Sequence, residues 1–297
     1  MNAKISVVTA YYNRYDLIDN LINSILEQKY DNYEFILVND GSNDQIKDKI
    51  QAYQNNYGLK VKYFEQVNQG KLTAMNLGTS NATGDLLIGI DSDDHFTNGA
   101  FDLIISEYEK VKNDDTIASV YFKNVLIKPN SEKLSVPDFK DTVATHFKQS
   151  YINKYSYDSS SFMKINIAKD YPFVVLEGEK FSPEAIVGNR ISQKYNSKYV
   201  NKVICVREYQ FDGLTQNQDK LILENPKGYY VYTSEILANH KLPLKQWIRH
   251  SLANGVFAAK TKVGYINNLS NSRKISYKFT QVFAYPLGIL YNLIKRS

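Results

Sequence analysis

Leu86-Leu87-Ile88-Gly89-Ile90-Asp91-Ser92-Asp93-Asp94 is the stretch on which the reading of the fold turns. Its first half is a short apolar run suited to a strand covered on both faces, and it stops abruptly at carboxylates. The same grammar recurs upstream. Ile5 to Thr9 is a β-branched run, followed by Leu17, Leu21, Ile25 and Leu26 at helical spacing. Glu34-Phe35-Ile36-Leu37-Val38 is a second strand that ends at the turn cluster Asn39-Asp40-Gly41-Ser42. A helix is predicted over 44–57, a strand over 61–65 and a helix over 70–77. This alternation specifies an α/β fold: a Rossmann-like, mostly parallel sheet flanked by helices. In such sheets the ligand lies beyond the carboxyl ends of the strands, which singles out Tyr11 to Arg14, Asp40 and Asp91 to Asp94.

Composition narrows the function classes. The chain has 297 residues, 43% hydrophobic and 23% charged, which suits one large domain with an appendage. Its one cysteine, Cys205, excludes an internal disulfide and a cysteine-rich metal site, and reads as a small buried apolar residue. Met1 to Lys4 run directly into the first strand, and no window reaches the apolar length of a membrane span; the expectation is a cytoplasmic protein. The net charge of +5 fits an anionic small substrate or an anionic membrane surface. Nucleic-acid-binding motifs are missing, so no nucleic-acid partner is expected. No G-x-G-x-x-G opens the first helix, and Gly70-Lys71-Leu72-Thr73 lacks the upstream glycine of a P-loop.

The three carboxylates of Asp91-Ser92-Asp93-Asp94 repel one another unless a cation lies among them. Hard divalent ions accept such oxygen ligands, and a diphosphate can complete the shell. Taken alone, the tetrapeptide reads equally well as a solvated acidic turn or a helix cap.

Its surroundings decide between these readings. Ser6-Val7-Val8-Thr9-Ala10-Tyr11-Tyr12-Asn13-Arg14, Tyr33 to Asp44 with its Asn39-Asp40-Gly41-Ser42 turn, and Asn68-Gln69-Gly70-Lys71 continuing to Ala74, Asn76 and Gly78 occur in order before the acidic cluster. In all of these the chain resembles family 2 glycosyltransferases of the GT-A fold, and the acidic cluster matches that family's DxD motif. The resemblance covers about the first hundred residues. It implies a UDP-sugar donor, a saccharide acceptor, Mn²⁺ or Mg²⁺ as cofactor, and an inverting transfer. Thr9, Ala10, Tyr11 and Asn13 would border the nucleotide, and Asp40 would accept a hydrogen bond from the base. Asp91 and Ser92 would lie near the ribose or base, Asp93 would bind the metal, and Lys71 would approach the base or phosphates. Lys71 also reads as an exposed helix lysine.

Glycosyl transfer further needs a carboxylate to deprotonate the acceptor hydroxyl. Leu176-Glu177-Gly178-Glu179-Lys180-Phe181-Ser182-Pro183-Glu184 resembles the family's second acidic motif, with Lys180 standing where a second acid is usual. Glu179 is the first candidate for the base and Glu177 the second; both also suit the N-terminus of the following helix. Arg207 to Thr215 resembles the segment that folds back over the diphosphate, where Asp212 is either a further metal contact or part of a plain turn beside Gly213. His95 is placed beside the acidic cluster, to touch the diphosphate or to begin a helix.

The domain division follows: 1–224 as a GT-A domain (1–117 nucleotide-binding, 118–224 on the acceptor side) and 225–297 as a helical C-terminal region. Within it, Lys274 to Arg296 mixes a broad apolar face with basic ends, a pattern suited either to an anionic membrane or to docking on the body. The membrane reading fits a lipid-linked acceptor in cell-surface polysaccharide synthesis. Lys180 also keeps open a catalytically silent nucleotide-binding partner subunit. A sugar-phosphate nucleotidyltransferase ranks last, because Thr9 to Arg14 lacks the expected glycines.

Overall fold

A computed structural model describes residues 2–127, 133–135, 139–153, 159–208, 218–239, 241–263 and 282–289. β1 (Ile5–Tyr11) is the strand around which the sheet assembles, parallel to β2 (Tyr33–Asn39) on one side and β4 (Leu86–Gly89) on the other. Its side chains alternate between two buried faces. Ile5, Val7 and Tyr11 join Phe35 and Leu37 beneath α1 (Ile18–Leu26) and α4 (Ala100–Val111). Val8 joins Ile36 and Val38 beneath α3 (Lys71–Asn81). Both faces being covered, these strands read as continuous apolar runs. α1 packs through Ile18, Leu21, Ile22 and Ile25. α3 packs instead through small residues: a Cβ on Gly78 would lie 2.4 Å from Val8 Cγ1, so glycine is what lets the helix sit this close.

Among the described residues the sheet has ten strands: β3 (Val61–Glu65), β5 (Asp94–Phe96), β6 (Ile117–Ile127), β9 (Ser159–Lys164) and β10 (Asn196–Glu208) give the order β3-β2-β1-β4-β9-β6-β10-β5. β7 (Lys133–Ser135) and β8 (Thr142–Ala144) pair beside β6 and β10. The β3-β2-β1-β4 half is parallel, as is the long β6–β10 pair. β9 enters antiparallel between β4 and β6, and β5 runs antiparallel to β10. The acidic stretch is therefore not all loop, because Asp94 already belongs to a strand.

Two compact units interleave along the chain. The first comprises the described residues of Met1–Thr145, Ser156–Phe173 and Lys194–Gly213, and holds the whole sheet. The second comprises those of His146–Tyr155, Val174–Gln193 and Leu214–Ser297. In it α6 (Ala185–Ile191), α8 (Pro226–Asn239) and α9 (Leu244–Lys260) gather Ile186, Tyr232, Ile236 and Leu237 into a small core. Arg190 grips Glu235 in a bidentate pair at 2.8 and 2.6 Å, tying α6 to α8. Hence the expected division near Glu224 falls inside the second unit: segment 174–193 packs with the helices that follow it.

Candidate active site

The carboxyl ends of β1, β2 and β4 carry the residues expected to bind a nucleotide. Several of them bind the protein. Asp40 is buried; its Oδ1 accepts hydrogen bonds from the Gln69 amide at 2.8 Å and the Gln66 side chain at 2.7 Å, and its Oδ2 accepts the Gly70 amide at 2.9 Å. The carboxylate thus closes a clasp on segment 66–70. Next to it Gly41 adopts φ +76°, and a Cβ there would meet the Asn68 amide nitrogen at 2.7 Å. The Asp-Gly pair brings two loops together where any side chain would push them apart. The clasp also sets the start of α3, whose first residue is Lys71.

Asn13, at φ 49°, has a similar task. Its amide nitrogen donates to Ser42 Oγ at 3.0 Å and its side-chain oxygen accepts from the Asn43 amide at 3.2 Å, stitching the first loop to the second. The Tyr11 side chain is wholly buried in the core and its hydroxyl donates to Asp44. Its backbone carbonyl accepts the Asp40 amide at 2.8 Å. Burial and the Asp44 charge push the Tyr11 hydroxyl far above its ordinary range, so it stays protonated. The polar groups of Tyr11 and Asn13 thus hold the loops that frame the strand ends. Asp40 is left with one open acceptor position at most. Thr9 Oγ1 is buried and has no hydrogen-bond partner, and Ala10 is half-buried on the opposite face.

Charge gathers after β4. Lys71 Nζ lies 2.7 Å from Asp91 Oδ1, and Arg207 Nε lies 3.2 Å from Asp94 Oδ2 across the β5–β10 register. Burial opposes ionisation of Asp91, but Lys71 and Arg207 outweigh it and hold its carboxyl below the usual range. Asp93 is shifted the other way, raised by burial and then by the Asp91 charge, with Arg14 and Lys71 only partly offsetting them. Ser92 is buried between them. A pair of carboxylates in which one raises the other is relieved by a divalent cation, and oxygen donors suit Mg²⁺ or Mn²⁺. Among the described residues no group of three or more His, Cys, Asp or Glu is placed to hold a metal alone. The carboxylates of Asp91 and Asp93 are oxygen donors that fit a cation completing its shell from water and diphosphate, and Lys71, Arg14 and Arg207 supply positive charge suited to the diphosphate itself. Asp212 lies outside the described residues. His95 Nδ1 is 3.9 Å from Glu208 Oε1, and the residue sits within β5 rather than beginning a helix.

On the second unit, the Glu179 carboxylate accepts the backbone amides of Lys227 at 2.7 Å and Gly228 at 2.8 Å, one on each oxygen. These are the first amides of α8 after Pro226, so Glu179 caps that helix, not α6 as the chain order suggested. Each Glu179 oxygen accepts one amide and keeps one acceptor position, so the carboxylate is fixed against the start of α8. Lys227 Nζ donates to the Glu177 carbonyl at 2.7 Å, and the Lys180 amide donates to Asn225 Oδ1 at 2.9 Å, fixing the loop from both sides. The Glu177 side chain is exposed.

Arg14 carried the signal of following the first strand, whereas Arg207 meets Asp94 only through strand pairing between positions far apart in the chain. Cys205 is buried as expected, and burial first, then the Asp94 charge, push its thiol well above the ordinary value.

Comparison with known proteins agrees with this architecture. The family model described as glycosyl transferase family 2 matches residues 6–168, more than half of the chain. An uncharacterized glycosyltransferase of Rickettsia bellii is 33% identical over 109 residues, which is 37% of this chain and 16% of that protein. The poly-β-1,6-N-acetyl-D-glucosamine synthase of Staphylococcus epidermidis is 24% identical over 201 residues, 61% of this chain and 48% of its own. The chain therefore spans under half the length of these relatives. Among solved structures, S. aureus TarS in complex with UDP-GlcNAc superposes with a TM-score of 0.63 at 17% identity, covering 96% of this chain and 81% of that one. The sheet with its flanking helices is thus a GT-A fold. From the family match, which spans more than half of its residues, the chain belongs to glycosyl transferase family 2.

Proposed function

We propose that the chain transfers a sugar from a UDP-sugar to a saccharide hydroxyl, with inversion, in the assembly of a cell-surface polysaccharide. The observation that carries the donor reading is the Lys71–Asp91 pair at 2.7 Å beside a raised Asp93, where cationic and anionic groups meet at the end of β4. Asp91 and Asp93 would hold Mn²⁺ or Mg²⁺, which when bound neutralises charge on the departing diphosphate. Lys71, Arg14 and Arg207 would bind phosphate oxygens. The buried, unpartnered Thr9 hydroxyl and the remaining acceptor position of Asp40 are the groups for the uridine. The TarS complex with UDP-GlcNAc and the N-acetylglucosamine-polymer synthase support a UDP-sugar and a saccharide acceptor.

Glu177 is the base in this reading. It would take the acceptor's proton while Glu179 anchors the loop, a division of labour that follows from the bonds Glu179 already makes. A second reading rests on the same observation: with Glu179 engaged and Lys180 in place of an acid, the chain would bind the nucleotide without turnover. Calorimetric titration of UDP, then GDP, with and without Mn²⁺ tests the donor site. Metal-dependent UDP binding supports it, and equal binding without metal refutes the roles of Asp91 and Asp93. Turnover with UDP-sugars and saccharide acceptors then separates the two readings.

A further inference from the structure

Charge is distributed unevenly along this chain. Ten of its 36 Lys and Arg residues, and none of its 31 acids, follow Glu235. Residues 236–297 therefore carry +10, while residues 1–235, with 26 cations against 31 acids, carry −5. The net +5 conceals an acidic body and a wholly basic C-terminal region. A solvated surface of ordinary composition mixes both signs.

The same region exposes apolar side chains in order. Leu244, Ile248 and Leu252 stand four residues apart on α9, on one stripe, and are 71%, 44% and 45% exposed. Exposed Lys241, Lys245 and Arg249 alternate with them. Residues 282–289 are helical and apolar nearly all round, with Phe283 66% and Leu287 53% exposed. This second helix seats against α9 through glycine: a Cβ on Gly255 would lie 2.3 Å from the Ala284 carbonyl oxygen, and one on Gly288 would lie 2.5 Å from that of Gly255. The pair is thus a packed feature whose outward apolar residues remain uncovered. An apolar helix face edged only by cations lies in a bilayer interface, with the rings and aliphatic chains among the acyl groups and the ammonium and guanidinium groups at the anionic heads. Among the described residues no helix is long and apolar enough to cross a membrane, so the geometry is that of lying on one.

We propose that α9 and residues 282–289 form a docking face for an anionic lipid surface, with Leu244, Ile248, Leu252 and Phe283 inserting and Lys241, Lys245 and Arg249 pairing with lipid head groups. The apolar contact then comes from α9 as well as from residues 282–289. This inference does not depend on the donor site. Its charge asymmetry suits it to select anionic over neutral lipid, because each basic residue near such a surface is worth about five-fold in partitioning.

Flotation of the full chain with vesicles tests it. Vesicles of phosphatidylcholine with about a third phosphatidylglycerol should carry the protein up the gradient, and phosphatidylcholine alone should not. Raising the salt to about 1 M should release most of it. The exposed triple variant Lys241→Gln, Lys245→Gln, Arg249→Gln should lower binding about a hundred-fold, by the per-residue figure above. Ile248→Glu with Leu252→Glu should lower it at least ten-fold, with thermal unfolding and UDP binding of each variant as controls for folding. Absence of flotation with the anionic vesicles, or equal flotation with neutral ones, overturns the proposal. So does a dimer in solution that the Ile248→Glu, Leu252→Glu pair dissociates, since the stripe would then be an interface between copies.

Discussion

Glu179→Gln and Glu177→Gln are isosteric changes two residues apart that should do opposite things. At Glu179, two oxygens each accept a backbone amide of α8, at 2.7 and 2.8 Å. Glutamine keeps one acceptor and turns an NH₂ toward the other amide. That removes one charge-assisted hydrogen bond, about 1.5–3 kcal/mol, and the charge opposite the helix dipole, a further 0.3–1 kcal/mol or about that. The loop is partly solvated, so the lower half of the range applies, about 2–3 kcal/mol. For a domain of this size, each kcal/mol moves the midpoint by about 2–4 °C, so Tm should fall by about 5–10 °C. At Glu177 the side chain is exposed and only its backbone carbonyl is engaged, by Lys227, so Tm should not move. Loss of a general base should instead lower kcat by about 10²–10⁴ with donor affinity unchanged. The assay is a thermal melt paired with single-turnover transfer on each variant. A Glu179→Gln protein that melts like the parent yet has lost transfer would refute the division of roles and return the base to Glu179. Full transfer in Glu177→Gln would move the search to Glu184, exposed at the N-cap of α6.

Other outcomes follow from the same contacts. Asp93→Asn should abolish the metal dependence of UDP affinity measured by calorimetry; an unchanged metal effect would mean that another group binds the ion. Lys71→Met should weaken UDP binding by about ten-fold or more, as expected for a charge-assisted phosphate contact, while Lys71→Arg retains part of it. Glu34 is buried among Lys62 at 2.6 Å, Lys4 at 3.1 Å, Ser6 Oγ at 2.7 Å and the Thr83 amide at 2.6 Å. Burial works against its charge, but Lys62, Ser6, Thr83 and Lys4 together bring its pKa down to about 2. The stability it contributes is present above its unfolded value of about 4.5 and is lost as pH falls toward 2. After discounting for the partly exposed lysines this amounts to about 1–2 kcal/mol, which Glu34→Gln should remove at pH 7 and leave almost unchanged near pH 2 in chemical denaturation. Gly78→Ala should cost about 1–3 kcal/mol by driving a methyl into Val8, read by the same denaturation.

The elements were legible because their periodicity is strong and both sheet faces are covered. Val61–Glu65 is the strand the sequence indicated, and α8 and α9 fall in the region expected to be helical. What could not be read was the partner of each polar group. Nothing local in Glu179 distinguishes a base from a cap, since its amides belong to Lys227 and Gly228 on a helix far along the chain. The antiparallel entry of β9 and β5 was likewise invisible, because a short strand carries no mark of its direction. Asp94 reads as part of an acidic turn until β10 supplies Arg207.

The motifs at the strand ends therefore divide into two kinds of work. Asp40, Gly41 and Asn13 spend their conformations and hydrogen bonds on bringing loops together, and the outcome is the position of Lys71 at the head of α3. Lys71 in turn lies on Asp91, whose charge raises Asp93. A change at Asp40 should then act on nucleotide binding through Lys71 even where the base never touches the carboxylate. Asp40→Asn keeps one acceptor oxygen but loses the second, so the Gly70 or Gln69 amide is left without its partner. If Asp40 acts only on the base, this variant should weaken UDP and uridine equally. If it acts through the clasp, UDP, whose phosphates need Lys71, should lose more affinity than uridine does. Comparing the two ligands on this one variant distinguishes a contact from a scaffold.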